Sequence, residues 1–412
     1  MTDTMTPGER MRATYEFQQV DHLHRAEFSI WPEAIERWKG EGLPEDWQES
    51  NLFMYDPQAV FHSGLGLGWC EPPFLPPFEA KVLEVIGDHE IIQDVAGRHL
   101  KVFKGRRHGF MPDYLKHAVT NMADWEAVAP RLDPTVEARW EGLADRVMDA
   151  RRTADAVDGI MSQYLIGGYM YLRAMIGPED VLYMFYDQPE VIHAAMQGWL
   201  DLMDAGLARV QAVTEIDQID MAEDICYNHG LLISPDAFRE FLMPYYQQLL
   251  GNARARQKTP SAQRPVPLRK GDITEDLRAR DVPRAKGDRP LGRGGLRPIW
   301  LHVDTDGDCR PSIPLYLELG MTRMSPFEVA SGCDVVEIGR QYPDLMMSGG
   351  IDKRVLAAGK DAIDAHLAHI MPAMVERGGY YPTCDHGVPI EVSFENYLHY
   401  RRRVCELDRQ NG

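Results

Sequence analysis

Apolar positions along the chain follow two alternating spacings. From Leu132 to about Ala156 they recur every three to four residues, the spacing of an amphipathic helix. Ile160 to Ile166 is a short strand candidate that ends at Gly167–Gly168. Helical spacing returns at 169–176, 179–186 and 189–213. The methionines of the last stretch, Met196 and Met203, read as core filling. Ile216 to Ala222 is the next predicted strand and ends in Glu223–Asp224. Ser234–Pro235 then opens a helix, since serine caps well and proline suits a first turn. Ile299 to Val303 predicts a strand carrying His302 and ending in Asp304, Asp306 and Asp308. A helix follows from Ile313 to Leu319, stopped by Gly320. Asp334–Glu337 and Leu345–Met347 read as two more strands, the first ending in a carboxylate. A helix at about 359–377 and a terminal helix from Ser393 complete the pattern.

At least six strand–helix alternations after residue 155 favour an α/β fold of the (βα)8, TIM-like barrel type over a doubly wound sheet. In such a barrel the C-terminal strand ends form the active-site face. That rule directs attention to His302, Asp304, Asp306 and Glu337.

The N-terminal third is less regular. Ile30 to Trp38 predicts a helix, and 58–80, with three spaced glycines and several prolines, predicts a surface loop. GLGLGW lacks the GxGxxG spacing and the lysine of phosphate-binding loops. Residues 81–111 alternate as a β-meander. The expected organisation is an extension and cap at 1–130 packed on a barrel at 131–412. Residues 254–298 interrupt the barrel with ten Arg and three Lys against five acidic residues. They read as a flexible basic insertion, or more sharply as a docking arm for an acidic partner.

Composition narrows the functional classes. The 412-residue chain is 44% hydrophobic and carries a net charge of −19, which disfavours nucleic acid and anionic membrane surfaces. No apolar run approaches the roughly 18 residues of a membrane span. The first residues carry no apolar signal-peptide core. The six cysteines are scattered without a CxxC pair, as expected of reduced thiols in a cytoplasmic protein. A GxSxG nucleophile elbow is absent from the sequence.

The candidate chemistry follows from residue types at strand ends. Asp224 and Glu223 are candidate general acids. His302, Asp304 and His386 could form an N/O metal site, with Glu223 or Glu337 as a fourth ligand and Cys384 as a substitute thiolate. Arg173, Arg340 and Arg354 are candidates for pairing substrate carboxylates, because the guanidinium fork matches them bidentately. Asp352, in the GGIDK turn, joins them as a substrate-binding candidate.

Several segments together resemble the uroporphyrinogen decarboxylase superfamily. They are GGYMYLRAMIGPED, DMAEDICYNHGLLISPDAFREFLMPYY, HVDTDGD, SPFEVASGCDVVEI, MSGGIDK and GGYYPTCDHGVP followed by FENY. The resemblance runs from about Val20 to the C-terminus, apart from 254–298. It implies a distorted (βα)8 barrel, a site at the strand C-terminal ends and a homodimer. It also implies one of two chemistries. The decarboxylases act on a tetrapyrrole without metal or organic cofactor, using arginines for carboxylates and an acid for the pyrrole. The corrinoid-linked methyltransferases use zinc, or related machinery for ethers, with a His-x-Cys pair and a later Cys.

Here the decarboxylase N-terminal arginine signature is replaced by SIWPEAIERWKGEGLP. The His-x-Cys pair is replaced by His302-Val303-Asp304, and the later Cys position by His386. The first expectation is therefore a cofactor-free carboxy-lyase in which Asp224 protonates, arginines hold carboxylates and His386 orients. The alternative is a methyltransferase or O-demethylase with zinc at His302, Asp304 and His386 and a corrinoid protein as partner. A third is a non-catalytic barrel that binds a tetrapyrrole or corrinoid.

Overall fold

The computed structural model describes residues 5–105, 112–258 and 299–410. Apart from its first five residues, which finish the helix Met243–Lys258, the basic insertion lies outside the described residues.

The core is a curled sheet of parallel strands in chain order. They are β1 (Val60–His62), β2 (Ile160–Ile166), β3 (Gln218–Ala222), β4 (Trp300–Asp304), β5 (Arg323–Ser325), β6 (Met346–Ser348) and β7 (Tyr380–Tyr381). Each strand pairs only with its sequence neighbours, which is the winding of a barrel rather than of a doubly wound sheet. The expected eight-stranded barrel is corrected in one respect: seven strands are present, and β1 and β7 do not pair among the described residues. A separate antiparallel meander, 81–86, 89–93, 99–103 and 113–116, matches the expected one and extends past it.

Alternation along the strands gives the sheet two unlike faces. Phe61, Met161, Leu165, Ile219, Met221, Leu301, Val303, Met324, Met347 and Tyr380 form the outer face and are buried in the apolar core. Helix Pro189–Val213 covers much of that core, and its Met196 and Met203 are fully buried in it, as expected of core filling. The opposite face is polar. Register places Tyr164, Asp220, His302 and Arg323 side by side, and Asp304 beside Ser325. A typical barrel fills this space with branched apolar side chains.

The strand starts are sealed by helix Pro7–Tyr15. Thr6 and Glu9 form a reciprocal capping box at its first turn. Its Met11 and Tyr15 pack with Ala59, Ile160, Trp300 and Met346, all at strand beginnings. Tyr15 stacks on Trp300 with centroids 4.2 Å apart. Arg12 pairs with Asp217 at 3.0 Å, just ahead of β3.

Between β1 and β7 runs the segment from His24 to Gln58. Ile30 bridges to Val388, and the buried Arg401 of the terminal helix Phe394–Gln410 donates to the carbonyls of Ala26 and Phe53. Among the described residues no helix is long and apolar enough to cross a membrane.

Two more expectations are corrected. Val60–His62 is a strand of the main sheet, inside the segment read as a loop. Asp334–Glu337 is not a strand. Asp334 caps helix Val335–Gln341 by accepting from the amides of Val336 and Glu337, and short aspartates favour that position. The strand expected there is Arg323–Ser325, whose polar residues face inward and disguise it.

Replacing Trp300 with Ala removes the stacked floor of the barrel. It should cost about 3–5 kcal/mol, the range for emptying a buried large aromatic site. Urea denaturation of wild type and variant measures it directly.

Candidate active site

The concave face encloses a cavity of about 990 Å³. Its wall combines strand residues (His62, Tyr164, Asp220, His302, Asp304, Arg323) with the segment from His24 to Gln58. Aromatic side chains form one side, where His62 stacks on Tyr164 at 3.6 Å and Trp69 meets Tyr164 edge-on.

A hydrogen-bonded chain crosses the barrel interior. Tyr15 donates to Gln218, and the Gln218 amide donates to Asp220 Oδ1 at 2.7 Å. Asp220 lies 2.5 Å from His302 Nδ1 and accepts from Ser162. Ser325 Oγ lies 2.8 Å from His302 Nε2 and 2.9 Å from Asp304 Oδ1.

Burial and neighbours decide where the charges sit. Burial raises the Asp220 pKa, but the His302 hydrogen bond and the charges of His302 and Arg323 outweigh it, so Asp220 is held well below the usual carboxylate range. Burial, helped by Arg323, holds His302 down to about 4 despite Asp220. Burial and the nearby Asp306 push Asp304 up to about 7. At neutral pH the chain therefore holds an anionic Asp220, a neutral His302 and an Asp304 poised to hold or lose a proton. An anionic Asp220 fixes the His302 proton on Nδ1, leaving Nε2 to accept from Ser325. Ser325 Oγ can then accept from protonated Asp304.

Arg323 is the fixed cation. Its guanidinium donates to Ser348 Oγ (2.9 Å from Nη2) and to the Tyr381 hydroxyl. Among the described residues no carboxylate lies within salt-bridge distance. Arg25, the other arginine on the cavity wall, is paired with Asp408 at 3.4 Å.

Of the sequence candidates, His302 and Asp304 lie in this cavity. His386 sits at its rim, 3.5 Å from Asp306, with Phe28 against its ring. Asp224 is also outside the lining and meets Arg173 at 3.5 Å. Glu223 lies behind the sheet, fully buried against Tyr246, and its Oε2 fills the space a Cβ on Gly167 would occupy. Glu337 and Arg340 are exposed on a helix. Asp352 caps another helix and pairs with the exposed Arg354 at 2.7 Å. Cys384 is buried, and burial holds its thiol well above the ordinary range, so it stays protonated.

The expected zinc ligands do not converge. Both ring nitrogens of His302 are engaged, His386 pairs elsewhere, and among the described residues no three His, Cys, Asp or Glu side chains gather as a metal set. The residues present do not fit a zinc site.

Sequence reasoning missed Arg323, Asp220, His62, Ser325 and Tyr381. A signal existed: in QIDMA and RMS, polar residues alternate with apolar ones at the strand period.

No family model matches the chain, and no curated protein matches it. Solved structures do. A methyltransferase from Methanosarcina mazei aligns over 98% of this chain and 99% of its own, with TM-score 0.57 at 12% identity. A putative vitamin-B12-independent methionine synthase from Listeria monocytogenes aligns over 95% and 99%, with TM-score 0.35 at 11% identity. Xylanase B from Clostridium stercorarium F9 aligns over 63% and 76%, with TM-score 0.30 at 11% identity. The first likeness supports the fold: parallel strands and helices in TIM-like order, with the barrel left open.

Glu223 gives a test by titration. Burial, with Asp224 adding to it, pushes its pKa up to about 8 against the Tyr246 hydrogen bond. A raised carboxyl binds its proton more tightly in the folded state, so its contribution to stability falls as pH rises from the unfolded value through about 8. Glu223→Gln, which cannot ionise, should therefore gain in Tm relative to wild type between pH 6 and 9, as read by thermal melts in matched buffers.

Proposed function

We propose that the chain is an enzyme that takes a methyl group from an oxygen of a small anionic molecule held inside the barrel. The observation that carries the reading is the single fixed cation, Arg323, facing a proton-poised Asp304 in one cavity. Arg323, its Nε and Nη2 already donating to Ser348 and Tyr381, attracts the substrate's acid group by its charge. The methyl carbon leaves for an external nucleophile at the mouth. The C–O electron pair stays on oxygen, which takes a proton from Asp304. Ser325, held in turn by His302 and Asp220, orients the Asp304 carboxyl, and Asp304 regains its proton from solvent. By the sequence resemblance, the acceptor is a corrinoid carried by a partner protein, and the Methanosarcina structure of like fold is that of a methyltransferase. No step runs through zinc, because the residues do not fit it.

Decarboxylation of a tetrapyrrole is less favoured by the wall's charge. Glu27, Glu36, Asp56, Asp220 and Asp304 face only Arg25 and Arg323, whereas a polycarboxylate needs several cations.

The test is incubation of the protein with methoxy-substituted carboxylic acids and reduced free cobalamin. Demethylated acid by mass spectrometry, together with the absorbance change of cobalt methylation, is the expected result. Asp304→Asn should lower turnover by about 10²–10⁴-fold, the usual contribution of a positioned proton donor, with ligand affinity little changed. Arg323→Met should abolish acid binding. Turnover should fall as pH rises through about 7, because Asp304 then loses its proton. Carbon dioxide release from a porphyrinogen, with no methyl transferred, would sink the proposal.

A further inference from the structure

Outside the cavity, two buried thiols face each other across successive loops. Cys309 follows β4 and Cys333 follows β5, and their sulfurs are 3.7 Å apart. Both residues are fully buried, but the chain beside each comes to the surface at Arg310 and Gly332. The Arg310 guanidinium lies beside Gly332, where an added Cβ would meet its Nη2 at 3.1 Å, and is near enough to both thiols to act on their charge. Asp308 holds the guanidinium there at 2.7 Å. Gly307, whose carbonyl is 3.5 Å from the Cys333 sulfur, donates its amide to Glu328 at 3.0 Å, so the two loops are already held in register.

We propose that Cys309 and Cys333 form an oxidation site, which hydrogen peroxide converts into a disulfide joining the loop after β4 to the loop after β5. A proximate cation favours the thiolate, and the thiolate is the reactive form. The hydrogen bond from Cys309 lowers the Cys333 pKa while Cys309 itself is raised, which makes Cys333 the attacking sulfur. Peroxide is small enough to reach thiols this close to the surface. The Cys333 sulfur attacks one peroxide oxygen, the O–O bond breaks and hydroxide leaves. Cys309 Sγ then attacks the resulting sulfenic acid, the S–O bond breaks and water leaves with the Cys309 proton. The two thiols supply both electrons. The sulfurs must close to about 2.05 Å, a movement two loop residues can absorb. Cys226, the third thiol nearby, is pushed up to about 12 by burial and remains a bystander.

The experiment is peroxide treatment of the folded full-length protein, followed by unfolding, alkylation and mass mapping. The expected result is a loss of about 2 Da, two of the six free thiols protected, and a Cys309–Cys333 linked peptide that a dithiol reductant reverses. Cys226→Ser should form the same link. Cys309→Ser should instead leave a Cys333 sulfenic acid that dimedone captures. Bridging positions 24 residues apart should also raise Tm by a few degrees, reversibly. Six alkylated thiols after peroxide, or a link that includes Cys226, would overturn the assignment. Wild type alone decides it, so a variant that fails to fold leaves the conclusion intact.

Discussion

A guanidinium buried inside a curled parallel sheet constrains everything around it. Removing such a charge from water costs several kcal/mol unless polar groups replace the solvent. Arg323 meets that cost with Ser348 and Tyr381 at its nitrogens and Asp220 two strands away. Those partners must sit on the inward positions of neighbouring strands. The interior can therefore not be the apolar plug that would close an ordinary barrel, and the space left over is the cavity. Burial, with Arg323 adding to it, lowers the His302 pKa and keeps the ring neutral, and Asp220 in turn fixes its tautomer. One buried cation thus shapes the interior and adds its charge to the burial that sets the protonation of its neighbours.

The floor and the wall divide the remaining work. Tyr15, stacked on Trp300 and bonded to Gln218, closes the strand starts and anchors the hydrogen-bonded chain at its far end. The outer face takes no part in the chemistry. It is a continuous apolar surface, and the burial of Ile219, Leu301, Val303 and their neighbours under the helices is what keeps a polar interior compatible with a folded chain. Glu223 belongs to that outer layer. It lies next to Asp224 in sequence, just past the end of β3, where Asp224 turns with a φ of 41° and meets Arg173.

The elements were legible where burial was one-sided and strong. Ile160–Ile166 falls where the sequence predicts it, and Pro189–Val213 matches its helical spacing to the residue. Ser234 caps its helix as its type suggests. The site was half legible. His302 and Asp304 stood out because they are polar residues at the end of an apolar run. Arg323 did not, because its strand is three residues long and two of them are polar. Glu337 misled for the opposite reason: DVVE has the composition of a strand end, and only the capping bonds of Asp334 reveal a helix start. The ion pair of Arg173 with Asp224 depends on a partner brought near by folding, which no local spacing encodes.

Among the described residues no eighth strand joins β1 to β7, and residues of the segment from His24 to Gln58 line the cavity instead. Residues in a strand are bound to a ladder, where a one-residue shift turns every side chain to the wrong face. That segment has no such register to protect. Insertions, deletions and exchanges there reshape one wall of the cavity while the opposite wall, with its hydrogen-bonded chain and cation, stays fixed. The fold therefore gives the cavity one wall fixed by strand register and one wall free of it.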